Sequence, residues 1–198
     1  MYASEKGYLA IVQALLAAGA NVELRNDYDE TALLFASKYG HTAVVEALIA
    51  GGADVNAISH IPFLFGAENW TALMYASKEG HLGVVKALLA AGANVNLSSG
   101  GFYDKTALTE ASERRHADVV ELLLAVPGIE VNAKSQSGVT ALMYASKDAY
   151  NYDVLKLLLA APGIDVNAKD KDDKTALDYA SEKHHYFIEK LLRERGAH

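Results

Sequence analysis

Two columns of reactive side chains recur along the sequence: His41, His81, His116 and His185 hold one position, and Ser4, Ser37, Ser77, Ser112, Ser146 and Ser181 hold another. Imidazoles in register would suit a transition-metal ion, and hydroxyls beside a base would suit acyl transfer. Spacing argues against both. Equivalent residues on stacked helices lie about 8 to 10 Å apart, whereas two ligands of one zinc ion each sit about 2 Å from it. The histidines therefore read as polar turn residues bonded to local backbone, with a joint metal contact by His184, His185 and His198 as a minor alternative. A nucleophile is unique, exposed and paired with a base, which six equivalent serines are not. Gly100-Gly101 lacks the Lys-Ser/Thr end and the preceding strand of a phosphate loop. The sequence thus offers no catalytic, cofactor-binding or metal site, and the chain is expected not to be an enzyme.

The elements that position these columns are clearest at 71 to 96, TALMYASKEGHLGVVKALLAAGANVN. Thr71 can cap a short helix by accepting from a first-turn N–H. Leu73 and Ala76 share a buried face, Lys78 and Glu79 a wet one, and Gly80 ends the helix. Val84, Val85, Leu88 and Leu89 mark a second amphipathic helix that Gly92 stops, and Ala93-Asn94-Val95-Asn96 leads on as an extended turn. Helices this short are marginal alone. Each two-helix block exposes an apolar side that another copy must cover, the logic of a solenoid.

Thr-Ala-Leu recurs at 31 to 33, 71 to 73, 106 to 108, 140 to 142 and 175 to 177, spacings of 40, 35, 34 and 35. YASEKGYLAIVQALLAAGANVE at 2 to 23 aligns with 75 to 96, so a sixth, incomplete copy opens the chain. It reads either as a shortened cap or as the cut edge of a longer protein. With Gly-His at 40 to 41 and 80 to 81 and Ala-Asp-Val-Asn at 53 to 56, the chain resembles the ankyrin repeat proteins, whose period is about 33 residues. The resemblance implies an all-α fold: an ankyrin-repeat solenoid of paired antiparallel helices with hairpin-like loops. It forms one domain over 1–198, with repeats near 1–24, 25–57, 58–97, 98–133, 134–168 and 169–198. It also implies that the Ser column, where the family carries a second Ala, is buried and bonded locally. The family's Thr-Pro-Leu-His here becomes Thr-Ala-Leu followed by Leu34, Met74, Thr109, Met143 or Asp178, so a Thr to His bond is not expected.

Three departures stand out. The link between the second and third repeats carries an apolar insert at 58–70, ISHIPFLFGAENW, and the next link brings Phe102 and Tyr103 after two glycines. The insert either presents its rings to water or folds back over the hairpins. Repeat five has one extra residue between its helices, in DAYNYD at 148 to 153, which predicts a distorted turn. The last helix carries Glu189, Lys190, Arg193 and Glu194, as a polar cap would.

Four residues after each Thr come Phe35, Tyr75, Glu110, Tyr144 and Tyr179, a ladder of rings broken by a charged rung of Glu110, Glu113, Arg114 and Arg115. In the proteins this chain resembles, that face and the loop tips line a groove that grips partners. The expected partner surface is therefore Tyr28, Phe35, Tyr39, Phe63, Phe65, Trp70, Tyr75, Phe102, Tyr103, Arg114, Tyr144 and Tyr179, with Lys38, Lys78, Lys147 and Glu113 setting specificity. The alternative for the tyrosines is a repeat-wide packing habit.

The function expected is a non-catalytic module binding a peptide or protein partner, with a structural spacer or self-association array as the alternative. A net charge of −7 argues against nucleic acid and makes a basic or peptide partner easier to accommodate. With no Cys, no disulfide contributes. No basic-then-apolar leader or run near about 18 apolar residues suggests membrane insertion. The expectation is a monomer without cofactor, cytoplasmic or, as some bacterial and protist ankyrins that share this wording are, delivered to a host cell.

Overall fold

Five threonines begin five helices in the same way. Thr31, Thr71, Thr106, Thr140 and Thr175 lie in extended backbone, and each Oγ accepts from the N–H three residues on at 3.2 to 3.5 Å. This satisfies one of the donors that a helix start leaves open. In the computed structural model, which describes residues 1–60, 69–101 and 104–198, the described residues form twelve helices. They are α1 (Tyr2–Glu5), α2 (Leu9–Ala17), α3 (Ala32–Lys38), α4 (Thr42–Ala50), α5 (Ala72–Glu79), α6 (Leu82–Ala90), α7 (Ala107–Glu113), α8 (Ala117–Leu124), α9 (Ala141–Ser146), α10 (Tyr152–Ala160), α11 (Ala176–Glu182) and α12 (Tyr186–Glu194).

The helices pair in sequence, and each pair packs on the next. Odd-numbered helices form one row, α1 to α11, and even-numbered helices a second, α2 to α12. Between the rows runs one core. Leu33, Leu73, Leu108 and Leu142 supply the odd side, and Val45, Val85, Leu88, Leu123, Leu155 and Leu158 the even side, all nearly inaccessible. Each such side chain contributes about 1.5 to 3 kcal/mol relative to exposure.

Gly80 ends α5 at φ 74, a left-handed conformation, and its missing Cβ leaves room for the ring of His116 from the following pair. In the fifth pair the expected distortion is present. Helix α9 has 6 residues, its C-cap Lys147 is right-handed, and no left-handed residue separates it from α10. Among the described residues, extended pairing is limited to isolated antiparallel bridges Ile58 to Thr71 and Ser98 to Thr106.

The two ends of the stack differ. The expected polar cap is only partly polar: α12 exposes Lys190, Arg193 and Glu194, but also Tyr186 and Phe187. At the other end Ile11 and Leu15 are 51% and 49% exposed, while the aligned Val84 and Leu88 are at 0%. A cavity of about 240 Å³ opens there, lined among others by Met1, Val12, Leu15, Leu16, Leu24 and Leu48.

Candidate functional site

The face built by the odd-numbered helices and the loops before them gathers most of the predicted residues. Its geometry begins at the helix starts. The residue preceding each cap threonine can meet the fourth helical residue across the first turn, the arrangement called a hydrophobic staple. Trp70 and Tyr75 do so as stacked rings, centroids 5.1 Å apart and inclined 29°. Lys105 and Glu110 do so as an ion pair at 3.5 Å, and Lys174 lies 5.7 Å from the Tyr179 ring.

Cations are threaded between these rings. Lys38 lies 5.9 Å from the Tyr39 ring and 5.4 Å from that of Tyr75, and Lys78 sits 4.7 Å over Trp70. Lys147 stands between two rungs, 4.8 Å from Tyr144 and 4.1 Å from Tyr179. Burial lowers the Lys147 pKa from the usual lysine value despite the neighbouring carboxylates of Asp170 and Glu113. The hydroxyl of Tyr75 donates to Glu30 at 3.4 Å, and that of Tyr179 donates to Asp170. Burial, then the hydrogen bond and charge of Asp170, push Tyr179 well above the ordinary phenol range. Burial would raise Asp170 too, but the Tyr179 hydroxyl and the N–H groups of Lys174 and Asp172 outweigh it and hold the carboxyl low.

The expected ring ladder is only partly accessible. Tyr28 and Tyr39 are exposed, and Phe35, Tyr144 and Tyr179 are half-buried. Trp70 was expected as an exposed anchor and Tyr75 as a groove ring; both are buried, at 7% and 5%. The two rings cover each other, with Lys78 over Trp70 and Lys38 over Tyr75, and the neck of the insert fixes the Trp70 backbone. Ser59 N–H donates to the Trp70 carbonyl at 2.9 Å, and Trp70 N–H donates to Ser59 Oγ at 3.1 Å. His60 N–H donates to the Tyr28 carbonyl and Asn69 N–H to the Ser99 carbonyl, tying the neck to the loops on either side. Trp70 thus serves as a staple at the start of α5. Phe63, Phe65, Phe102 and Tyr103 lie outside the described residues.

The charged rung is also rearranged. Glu110 is buried and shares Lys105 with Glu113, while Arg114 is exposed and Arg115 reaches Asp148 at 3.5 Å. Burial raises the Glu110 pKa against the pull of Lys105. For Lys105, burial is outweighed by the hydrogen bond to Glu113 and both carboxylate charges, so its pKa is raised. Lys105 was missed from the sequence. Its place before Thr106, four helical residues ahead of Glu110, was the signal.

The histidine column has a purpose other than local bonding. Ring Nε2 of His41, His81 and His116 lies 2.8, 3.1 and 2.9 Å from the carbonyls of Glu5, Lys38 and Lys78 in the preceding pair. A carbonyl only accepts, so each ring nitrogen donates. In the fifth pair Asn151 takes over, its Nδ2 donating to the Ser112 carbonyl at 2.6 Å. The serines also depart from expectation. Ser146 Oγ donates to Leu142 O at 2.8 Å, but the Oγ atoms of Ser37, Ser77 and Ser112 are buried without a partner. Their short side chains are closed off from solvent, and none donates to the carbonyl four residues back as Ser146 does.

Comparison with known proteins agrees with this architecture. A family model described as ankyrin repeats (3 copies) matches residues 1–99, 61–135 and 108–198. Among solved structures, an ankyrin repeat domain from Acinetobacter baumannii AYE, determined at 1.00 Å, is 31% identical. The alignment covers 100% of this chain and 97% of that one, with a TM-score of 0.84. No curated protein matches the chain. No helix among the described residues is long and apolar enough to cross a membrane.

Proposed function

Because the chain belongs to the ankyrin repeat family, whose repeats generally serve as protein–protein interaction modules, we propose that it is a non-catalytic module binding a protein or peptide partner across the odd-helix face. The reading takes 1–198 as one solenoid. The observation that carries it is the line of rings and lysines on that face: Lys38, Lys78 and Lys147 held over aromatic faces, with Tyr39 and Tyr28 exposed beside them. Rings fixed in place suit partner contact, since interface hot spots are enriched in Tyr, Trp and Arg and each costs about 2 kcal/mol or more on truncation. Arg114 and the rings at 63, 65, 102 and 103 belong to the same proposed surface.

Affinity capture from native lysate tests it, using the full chain, a Tyr39→Ala/Tyr144→Ala/Tyr179→Ala variant and a variant lacking residues 61 to 66. Circular dichroism first confirms that each variant is folded. Loss of a captured protein with the ring variant is expected. An unchanged partner list from both variants would refute this surface.

One observation favours a second reading, a self-association or spacer array: the apolar end where Ile11 and Leu15 lie half-exposed. Sedimentation velocity of the chain and of Leu15→Glu distinguishes the two. A concentration-dependent dimer abolished by Leu15→Glu supports self-association, and a monomer at all concentrations removes self-association from this reading.

A further inference from the structure

The odd-helix face carries two kinds of rung. In the fourth and sixth pairs the residue seven after the cap threonine is an acid, Glu113 or Glu182, and the residue before the threonine is a lysine, Lys105 or Lys174. The two pair within the rung. In the second, third and fifth pairs the seventh residue is instead Lys38, Lys78 or Lys147, and Glu30, Trp70 or Val139 stands before the threonine. Among the described residues these three lysines make no ion pair. The nearby acids are already engaged: Glu30 by Asn26 and Tyr75, Glu110 and Glu113 by Lys105, and Asp170 by Tyr179 and two backbone N–H groups. In a chain with 25 acidic and 18 basic residues, three lysines on one face that form no ion pair stand out against the global charge.

We propose that these open rungs take an extended acidic peptide segment of a partner protein, whose carboxylates meet Lys38, Lys78 and Lys147. This rests on the reading of the face as a partner surface and adds the partner's chemistry. Each ammonium is held over a ring at 4.1 to 5.9 Å, so an arriving carboxylate finds a positioned donor already partly stripped of water. The rung spacing sets the sequence. Neighbouring helices stack about 8 to 10 Å apart, and an extended chain advances about 3.3 Å per residue, which gives roughly three residues per rung. Lys38 and Lys78 are on adjacent rungs, and Lys147 is two rungs beyond Lys78. The matching segment reads Glu-x-x-Glu-x-x-x-x-x-Glu. Its seventh position passes the fourth rung, where Glu110 and Glu113 outnumber Lys105, so an acid there is disfavoured.

Fluorescence anisotropy with the full chain tests this, using a labelled peptide of that pattern in a Ser/Thr background at low and physiological salt. Comparison peptides replace each Glu by Gln or by Lys, or move the third Glu onto the fourth rung. The first peptide is expected to bind at least tenfold more tightly than the Gln peptide and several-fold more tightly than the shifted one. Lys38→Ala/Lys78→Ala/Lys147→Ala should bring its affinity to the Gln level, while Lys86→Ala, exposed on α6, leaves it unchanged. Equal affinity for the Glu and Gln peptides, tighter binding of the Lys peptide, or tighter binding of a single-stranded oligothymidylate would overturn the inference. If a Gln or Lys peptide binds and is lost in the Tyr144→Ala/Tyr179→Ala variant, the face still serves a partner and only the acidic chemistry fails.

Discussion

Gly80 and His116 belong to different helix pairs, yet the structure makes each conditional on the other. A Cβ at Gly80 would lie 2.5 Å from His116 Cε1 and Nδ1, and φ there is +74°. Gly80→Ala therefore incurs a left-handed penalty of about 1 to 2 kcal/mol and an overpacking penalty of about 1 to 3 kcal/mol. His116→Asn shortens the side chain and weakens the 2.9 Å bond to the Lys78 carbonyl, at a cost of about 0.5 to 1.5 kcal/mol. The chain already contains the double replacement: Arg115 is left-handed at φ 64 without being glycine, and the side chain after it in the stack is Asn151, bonded to Ser112 O. The double variant should thus lose the overpacking penalty and be more stable than the sum of the singles by about 1 to 3 kcal/mol. Urea unfolding followed by far-UV circular dichroism, with the slope m compared across the four proteins, measures this. Additivity within about 0.5 kcal/mol would refute the interlock.

Leu88→Ala, at a site with no exposure, should cost about 2 to 5 kcal/mol, whereas Leu15→Ala at the aligned but half-exposed site should cost under about 1.5 kcal/mol; equal losses by urea unfolding would contradict nearest-neighbour stacking. Trp70→Ala should cost about 3 to 5 kcal/mol because the ring staples α5; a fully stable variant in thermal unfolding would return Trp70 to the list of partner anchors. Hydrogen bonds from the Thr175 N–H and hydroxyl hold Asp178 below its ordinary value of 3.8, and Asp170 is depressed as well. With a folded pKa below the unfolded one, the contribution is present above 3.8 and fades as pH falls through the folded value. Asp178→Asn should therefore flatten the acid limb of stability below about pH 4, and an unchanged limb would show that the cap does not matter.

The architecture was legible because its signals are local: a threonine that caps, a glycine that stops, and apolar positions at helical spacing all act within a few residues. What crosses between pairs was not. His41, His81 and His116 were read as bonding nearby backbone, but their acceptors lie 36 to 43 residues away in sequence. The asparagines after Val were read as turn formers, and they clamp successive loops: Asn132 Nδ2 donates to the Gly163 carbonyl, and its Oδ1 accepts from Asp165 N–H. Both bonds become visible only once neighbours are stacked. Trp70 was misread for a different reason. Its apolar surroundings suggested a presented loop, while its place before Thr71, four helical residues ahead of Tyr75, already announced a staple. Lys105 was hidden likewise, since its charge drew less notice than the arginines nearby, although it is the cation that both Glu110 and Glu113 use.

The unequal ends of the stack give lengthening a direction. Beyond α12, a newcomer would have to cover Arg193, paired with Glu189 at a position that inner repeats fill with Ile49, Leu89, Leu124 or Leu159, so growth there meets a desolvation cost. At Ile11 and Leu15 the surface is already written in the language of an interior junction. An engineer grafting a further two-helix block would therefore join it ahead of Met1, with a leucine aimed at the open cavity, and could leave the existing residues untouched.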